Sequence, residues 1–249
     1  MLPIITISIP SYLILATIGA VFSSLFLFFR SDKFNISFKS LVIYIIVGFL
    51  CSIVGSRILF VITIIPSLIK NFTIDKLVFY ILNGGLVFYG GLIGIILGMY
   101  VCSKIRKDDT LNLFNFAAPA FPLFHVFGRI GCFLAGCCYG VESTFGFSMS
   151  SSPEIIRFPV QLFEALANLL IFISLIVLPK YKKINNLMIV YLLEYGVCRF
   201  ILEFFRGDTE RGIWGFLSTS QIISICIIIV CMLLHKKSKG IKEIVNLCR

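Results

Sequence analysis

The chain has 249 residues, 59% of them hydrophobic, and a mean hydropathy of +1.02. Soluble domains lie far below that value, so the medium around most of this chain is lipid. A formal net charge of +10 would suggest nucleic acid in a soluble protein. In a membrane protein positive charge gathers in cytoplasmic loops, so no nucleic-acid partner is expected.

Apolar runs of about 20 residues mark membrane-crossing helices. Seven follow one another, at 12–29, 41–65, 78–101, 113–138, 160–178, 186–205 and 216–234. No Lys or Arg precedes the first run, which therefore reads as a true span and not as a secretory signal. Loops on one side carry fourteen Lys and Arg, Arg30, Arg106 and Lys182 among them; the opposite side carries five, Lys70, Lys76, Arg157, Arg206 and Arg211. This asymmetry places the N-terminus outside and the C-terminus in the cytoplasm. The expectation is an all-α integral membrane protein with about seven transmembrane helices, one domain over residues 1–249. Its longest extramembrane stretch is the outer loop from about Tyr139 to Pro159.

Arg57, Arg129 and Arg199 fall inside the spans. A charge at the bilayer centre costs about 2.5–3.5 kcal/mol on insertion scales. At the rise of an α-helix they lie roughly 12, 15 and 10 Å below the outer ends of spans two, four and six. Snorkelling suits a residue near a helix end; one shared cavity in the outer half of the bilayer, water-accessible or anion-filled, accounts for all three. Tyr89 reaches the same layer, about eleven residues inside span three. Tyr195, Arg199 and Glu203 are spaced i, i+4, i+8 and share a face. Glu203 reads either as an ion-pair partner of Arg199 or as a working group of the site. Gln161 and Glu164 open span five near the outer surface. His125 reads as a core histidine bonded to a carbonyl.

Small residues recur at four-residue steps: Gly90, Gly94 and Gly98 in span three; Gly128, Cys132, Gly136 and Gly140 in and after span four. Such faces let helix backbones approach closely. Of the nine cysteines, those scattered along the spans behave as small hydrophobes. Cys132, Cys137 and Cys138 cluster without the paired C-x-x-C spacing of a zinc site and read as small-residue packing. No metal and no cofactor are expected. Nucleotide-loop, HExxH and G-x-S-x-G motifs are absent from the sequence. Several guanidiniums facing one cavity suit phosphate oxygens. An enzyme built this way works by positioning and electrostatics on a lipid phosphate.

The segments "GSRILF" (55–60), "GGLVFYGGLIG" (84–94), "GRIGCFLAGCCYG" (128–140), "RFPVQLFEALANLLIF" (157–172), "YGVCRFILEFFRGD" (195–208) and "LSTSQIISI" (217–225) resemble, in order, the signatures of the bacterial prolipoprotein diacylglyceryl transferases. The resemblance implies a multi-pass protein of the bacterial cytoplasmic (inner) membrane. It implies transfer of the diacylglyceryl group of phosphatidylglycerol to the lipobox cysteine thiol of a preprolipoprotein signal peptide, with glycerol phosphate leaving. The family's phosphatidylglycerol-binding arginine falls on Arg129 and its essential arginine on Arg199, with Glu203 and Arg206 also matching. Depth and resemblance together nominate Arg129, Arg199 and Tyr89 as catalytic. They nominate Arg129, Arg57, Gly90, Gly91, Gly131, Gly140, Gln161, Glu164, Tyr195, Glu203 and Arg206 as substrate-binding. The chain departs from the family pattern at Tyr89 and Phe158, where histidine is usual, at Cys132, where asparagine is usual, and at 135–137, where Ala-Gly-Cys replaces Asn-Gly-Glu. Two other readings stay open: a paralogue that lipidates another acceptor, and a transporter of an anion or lipid.

Overall fold

The computed structural model describes residues 4–6, 9–70, 73–75, 78, 87–149, 152–181, 184–208, 213–214 and 216–247. The chain is mostly helical. Among the described residues five helical segments are long and apolar enough to cross a membrane: Ser11–Phe34, Phe38–Ile62, Phe88–Arg106, Thr110–Ala135 and Val160–Tyr181. This is a multi-pass membrane protein. The helices are α1 (Ser11–Ser31), α2 (Phe38–Lys70), α3 (Phe88–Arg106), α4 (Thr110–Ala117), α5 (Ala120–Ala135), α6 (Val160–Tyr181), α7 (Leu187–Leu202) and α8 (Thr219–Leu247). They fall into two compact units, residues 28–113 and residues 1–27 with 114–249.

In the unit of residues 28–113, α2 and α3 pack backbone to backbone. A Cβ added at Gly55 would overlap the Gly90 carbonyl oxygen, and one at Gly94 the Cys51 carbonyl oxygen. At Gly98 it would lie 2.5 Å from the Cys51 sulfur. The small-residue face expected of span three is therefore real, with Cys51 and Gly55 as its partners on α2. The span itself begins later than expected. Val87 is extended (φ −89°, ψ 118°) and α3 starts at Phe88, so Tyr89, Gly90 and Gly91 occupy a first helical turn and not the middle of a helix running from Val78. Residues 79–86 lie outside the described residues. At the other end of α3, Tyr44 donates a 2.5 Å hydrogen bond to Asp108. Arg106 reaches the same carboxylate at 2.9 Å and Ser40 at 2.7 Å. A cavity of about 440 Å³ opens beside this network.

In the other unit, the segment expected as one span at 113–138 is two helices. Pro119 is the N-cap of α5, and proline disfavours helix at the residue before it. Pro122 is tolerated in the first turn, where its missing N–H has no helical partner anyway. α5 ends at Gly136, which takes the left-handed conformation (φ 72°) that glycine adopts without penalty. The narrow face expected along span four does not form. Gly128 faces open space, and Gly136 and Gly140 lie beyond the helix. The small residue that packs there is Gly131, against Tyr12 and Leu15 of α1.

The loop from Tyr139 to Pro159, expected on the outer side, contains regular structure. Strands β1 (Glu142–Met149) and β2 (Ser152–Arg157) form an antiparallel hairpin, anchored where Arg157 lies 4.4 Å over the Tyr139 ring. α6 then begins at Val160. α7 is capped by Asn186, whose side chain accepts from the Ile189 N–H at 3.2 Å. It closes in a 3₁₀ turn, Glu203–Phe205.

Candidate active site

Three helix ends bring charge to one level. Arg129 lies in the C-terminal half of α5, Glu164 near the start of α6 and Arg199 in the last turn of α7. The helix dipole favours an anion at an N-terminus and a cation at a C-terminus, so the locations of Glu164 and Arg199 are electrostatically natural. The four charged groups of the cluster are almost fully withdrawn from solvent: Arg129 7%, Glu164 3%, Arg199 5% and Glu203 1% exposed.

Glu164 bridges both arginines. Its Oε2 is 2.8 Å from Arg129 Nε, and its Oε1 accepts from Arg199. Arg199 also holds Glu203 Oε2 at 2.6 Å, one turn along its own chain, and reaches Ser220 Oγ at 3.3 Å. Two guanidiniums and two carboxylates thus balance in a low-dielectric site. Removing one partner of such a set leaves an uncompensated charge, a loss of about 3–5 kcal/mol. Arg199 and Glu203 share a face as their spacing predicts, and Tyr195, 2% exposed, is buried one turn before Arg199. Glu194 on the same helix turns elsewhere, accepting from Ser174 Oγ at 2.7 Å.

His125 corrects its sequence reading as a carbonyl-bonded core residue. Its Nε2 accepts from Arg129 Nε at 3.1 Å, so that nitrogen carries no proton and the ring is held beside the charge cluster. Its ring lies 5.4 Å from that of Tyr195. The i, i+4 spacing of His125 and Arg129 was the available signal. Glu164, expected at the start of span five among the polar residues near the arginines, lies inside the cluster. Asn168, absent from the sequence reading, donates to the Glu164 backbone carbonyl at 2.7 Å.

The remaining nominated residues separate into groups. Gln161, 1% exposed, donates to the Cys137 carbonyl at 2.8 Å. Arg206 pairs with Asp208 and bridges backbone to backbone with Gly140. Gly140 itself lies against the Phe158 carbonyl, where any Cβ would overlap it. Gly131 meets α1, as described above. Arg57, Tyr89, Gly90 and Gly91 belong to the other unit. There Arg57 is half-buried, Tyr89 is 4% exposed, and Gly91 faces Ser52 and Ser56, with a Cβ at Gly91 falling 2.9 Å and 2.7 Å from their hydroxyls.

The three clustered cysteines read as packing come together in space. The turn after α5 brings the sulfurs of Cys132, Cys137 and Cys138 within 4.8 Å of one another. The Cys137 N–H donates to the Cys132 carbonyl at 3.1 Å, and Cys138 takes a left-handed conformation (φ 55°). Sequence spacing alone missed this because a helix end followed by a left-handed residue folds positions i, i+5 and i+6 together.

A buried, charge-balanced arginine–glutamate cluster thus lies among apolar helices of a length that crosses a membrane. A family model described as prolipoprotein diacylglyceryl transferase matches residues 1–236, and the chain belongs to that family. It is 34% identical over 246 residues to phosphatidylglycerol–prolipoprotein diacylglyceryl transferase 2 of Clostridium perfringens, covering 95% of this chain and 94% of the relative. It is 38% identical over 192 residues to the phosphatidylglycerol–prolipoprotein diacylglyceryl transferase of Clostridium tetani, covering 74% and 75% of the two chains. With the Ehrlichia canis protein of that name the identity is 31% over 225 residues, 84% of each chain.

Proposed function

We propose that this chain is a transferase that moves the diacylglyceryl group of phosphatidylglycerol to the lipobox cysteine thiol of a preprolipoprotein and releases glycerol phosphate. The observation that carries the reading is the Arg129–Glu164–Arg199 bridge, buried in a chain of this family. The thiol sulfur attacks the glycerol carbon that bears the phosphate. The carbon–oxygen bond breaks, its electron pair stays with the phosphate oxygen, the thiol's proton passes to water or to the departing phosphate, and a thioether forms. Negative charge grows on the departing phosphate, and guanidiniums fixed beforehand stabilise that charge without reorganising.

In the proposal the terminal nitrogens of Arg129 and Arg199 hold the phosphate. Glu164 and Glu203 keep both forks oriented and the empty site neutral. His125 orients Arg129 by accepting its Nε–H. Tyr89, as a hydrogen-bond donor, and Arg57, Gly90 and Gly91 are assigned to the lipid substrate in the proposal. Gln161, Tyr195, Gly131, Gly140 and Arg206 are assigned to substrate binding as well. The chain works as one domain of seven spans, N-terminus outside and C-terminus in the cytoplasm, in the bacterial cytoplasmic membrane. The fourteen-to-five loop asymmetry and the placement of the charges at one level of helix ends support that orientation.

The test uses the purified chain in phosphatidylglycerol vesicles with a lipobox peptide. The proposal expects glycerol phosphate release together with a diacylglyceryl mass gain on the peptide's cysteine. Glycerol phosphate release without peptide modification would point to another acceptor. Neither product would refute the reading, and lipid or anion flux in its place would favour transport.

A further inference from the structure

Three thiols meet at the end of α5. Cys132 is buried, Cys138 half-buried and Cys137 exposed, so the cluster has a closed side and an open one. All three sulfurs lie within 4.8 Å of one another. With metal–sulfur bonds of about 2.3 Å the sulfur–sulfur edge of a tetrahedron is about 3.8 Å. Closing the cluster around an ion therefore needs movements of at most about 1 Å, within reach of side-chain rotation.

The backbone around the thiols is fixed. The Gly136 and Cys137 N–H groups both cap the end of α5, and the Gln161 side chain holds the Cys137 carbonyl at 2.8 Å. Such outer contacts orient ligands.

We infer that Cys132, Cys137 and Cys138 form a three-thiolate site for a soft divalent cation of the zinc class, whose open fourth position takes the acceptor's cysteine. Three protein ligands with one open position is the arrangement of a catalytic zinc site, whereas structural sites are closed by four. Three thiolates suit zinc over magnesium or calcium, which take oxygen.

The role rests on the transferase reading above. That reaction needs a thiolate nucleophile, and a free cysteine of pKa about 8.5 is only about 3% thiolate at pH 7. A thiol bound to the cation loses its proton outright; the proton passes to water. The bound sulfur then attacks the phosphate-bearing glycerol carbon while Arg129, three residues along the same helix from Cys132, steadies the departing phosphate. The neutral thioether binds the cation weakly and leaves, reopening the fourth position. Metal binding would thus supply the deprotonation that a tyrosine at position 89 is poorly suited to perform, with its ordinary pKa near 10.

The full-length chain, reduced and stripped with a chelator in phosphatidylglycerol vesicles, is titrated with Zn²⁺ and, separately, with Co²⁺ as an optical probe. The expected result is one equivalent bound, a sulfur-to-cobalt charge-transfer band, and loss of both on Cys132→Ser, Cys137→Ser or Cys138→Ser. Adding a lipobox peptide should strengthen the band, and the same peptide with its cysteine replaced by serine should not. Stripping should slow transfer about thirtyfold at pH 7, the ratio of full to free-cysteine thiolate, and Zn²⁺ should restore it. The wild-type cobalt spectrum decides the matter even if a variant folds poorly. No stoichiometric binding, a disulfide among the three thiols in the active protein, or full-rate transfer by stripped protein would overturn the inference and leave the transferase reading standing. Metal and peptide binding with no glycerol phosphate release would sink the transferase reading, and the nucleophile role with it.

Discussion

The pair α2–α3 and the trio α5–α6–α7 solve the same problem by opposite means. Lipid gives apolar helices no hydrophobic reason to associate. The pair uses missing side chains: Gly55, Gly90 and Gly94 let two backbones touch. The trio uses charge: Glu164 ties Arg129 to Arg199, and Arg199 holds Glu203. Backbone contact gives rigidity without chemistry. Charge contact gives rigidity and also fixes the orientation of a guanidinium, which is what the proposed phosphate site requires.

The largest effect expected from breaking this contrast is at Glu164. Glu164→Gln keeps the shape but leaves two guanidiniums facing one neutral group. A loss of about 3–5 kcal/mol follows, read as a lower unfolding temperature in vesicles, and added glycerol phosphate should restore part of it. A variant as stable as the native chain would mean the bridge does not hold the trio. Next comes Gly94→Val, whose new Cβ would overlap the Cys51 carbonyl oxygen. Overpacking of this kind costs about 1–3 kcal/mol or more. Turnover of the folded fraction should fall as well, because the proposal gives Tyr89, Gly90 and Gly91 of α3 contacts with the lipid. Near-native turnover of the folded fraction would separate the pair from the site.

Tyr89→Phe sharpens the comparison further, since Tyr89 stands at the start of α3, in the unit held by glycines. Loss of one hydrogen bond made in the transition state should slow turnover on the order of ten- to a hundredfold. A general base would give near-complete loss and remove the basic limb of a pH 6–10 profile, whereas unchanged turnover would make Tyr89 a packing residue.

The smallest effect is at the far end of α3. The Tyr44 hydroxyl donating to it, with the Arg106 guanidinium, holds the Asp108 carboxyl below its ordinary range against the opposing pull of burial. A depressed carboxyl pKa stabilises the fold above the unfolded value, near 3.9, and the contribution fades as pH falls through the folded value. Hydrogen-exchange protection at 106–109, taken relative to the intrinsic rate at each pH, should therefore fall below about pH 4 and stay level from pH 6 to 8. The group is partly exposed, so screening keeps the effect small.

What the sequence made legible follows the same division. The glycine face of α3 could be read from spacing, because a four-residue step is a local property of one helix. The shared face of Tyr195, Arg199 and Glu203 was legible for the same reason. The bridge by Glu164 was not, since its place inside the cluster depends on how α6 begins relative to the ends of α5 and α7. His125 was missed because one histidine on an apolar helix looks the same in a core as beside an arginine. The start of α3 at Phe88 and the break at Pro119 moved two expected spans. Hydropathy averages over both, whereas Val87 and Pro119 act through single backbone dihedrals. The cysteine cluster needed the left-handed turn after Gly136, which a motif search by spacing does not see.

The central claim is that Arg129 and Arg199 act as one unit through Glu164. It is tested most directly by glycerol phosphate release from phosphatidylglycerol by Arg129→Lys, Arg199→Lys and the double variant. Lysine keeps the charge and loses the fork. The account predicts that each single change slows turnover on the order of a hundred- to a thousandfold, and that the double change is scarcely worse than either, as for groups that work together. Near-native turnover in a single variant, or losses that multiply in the double, would contradict it.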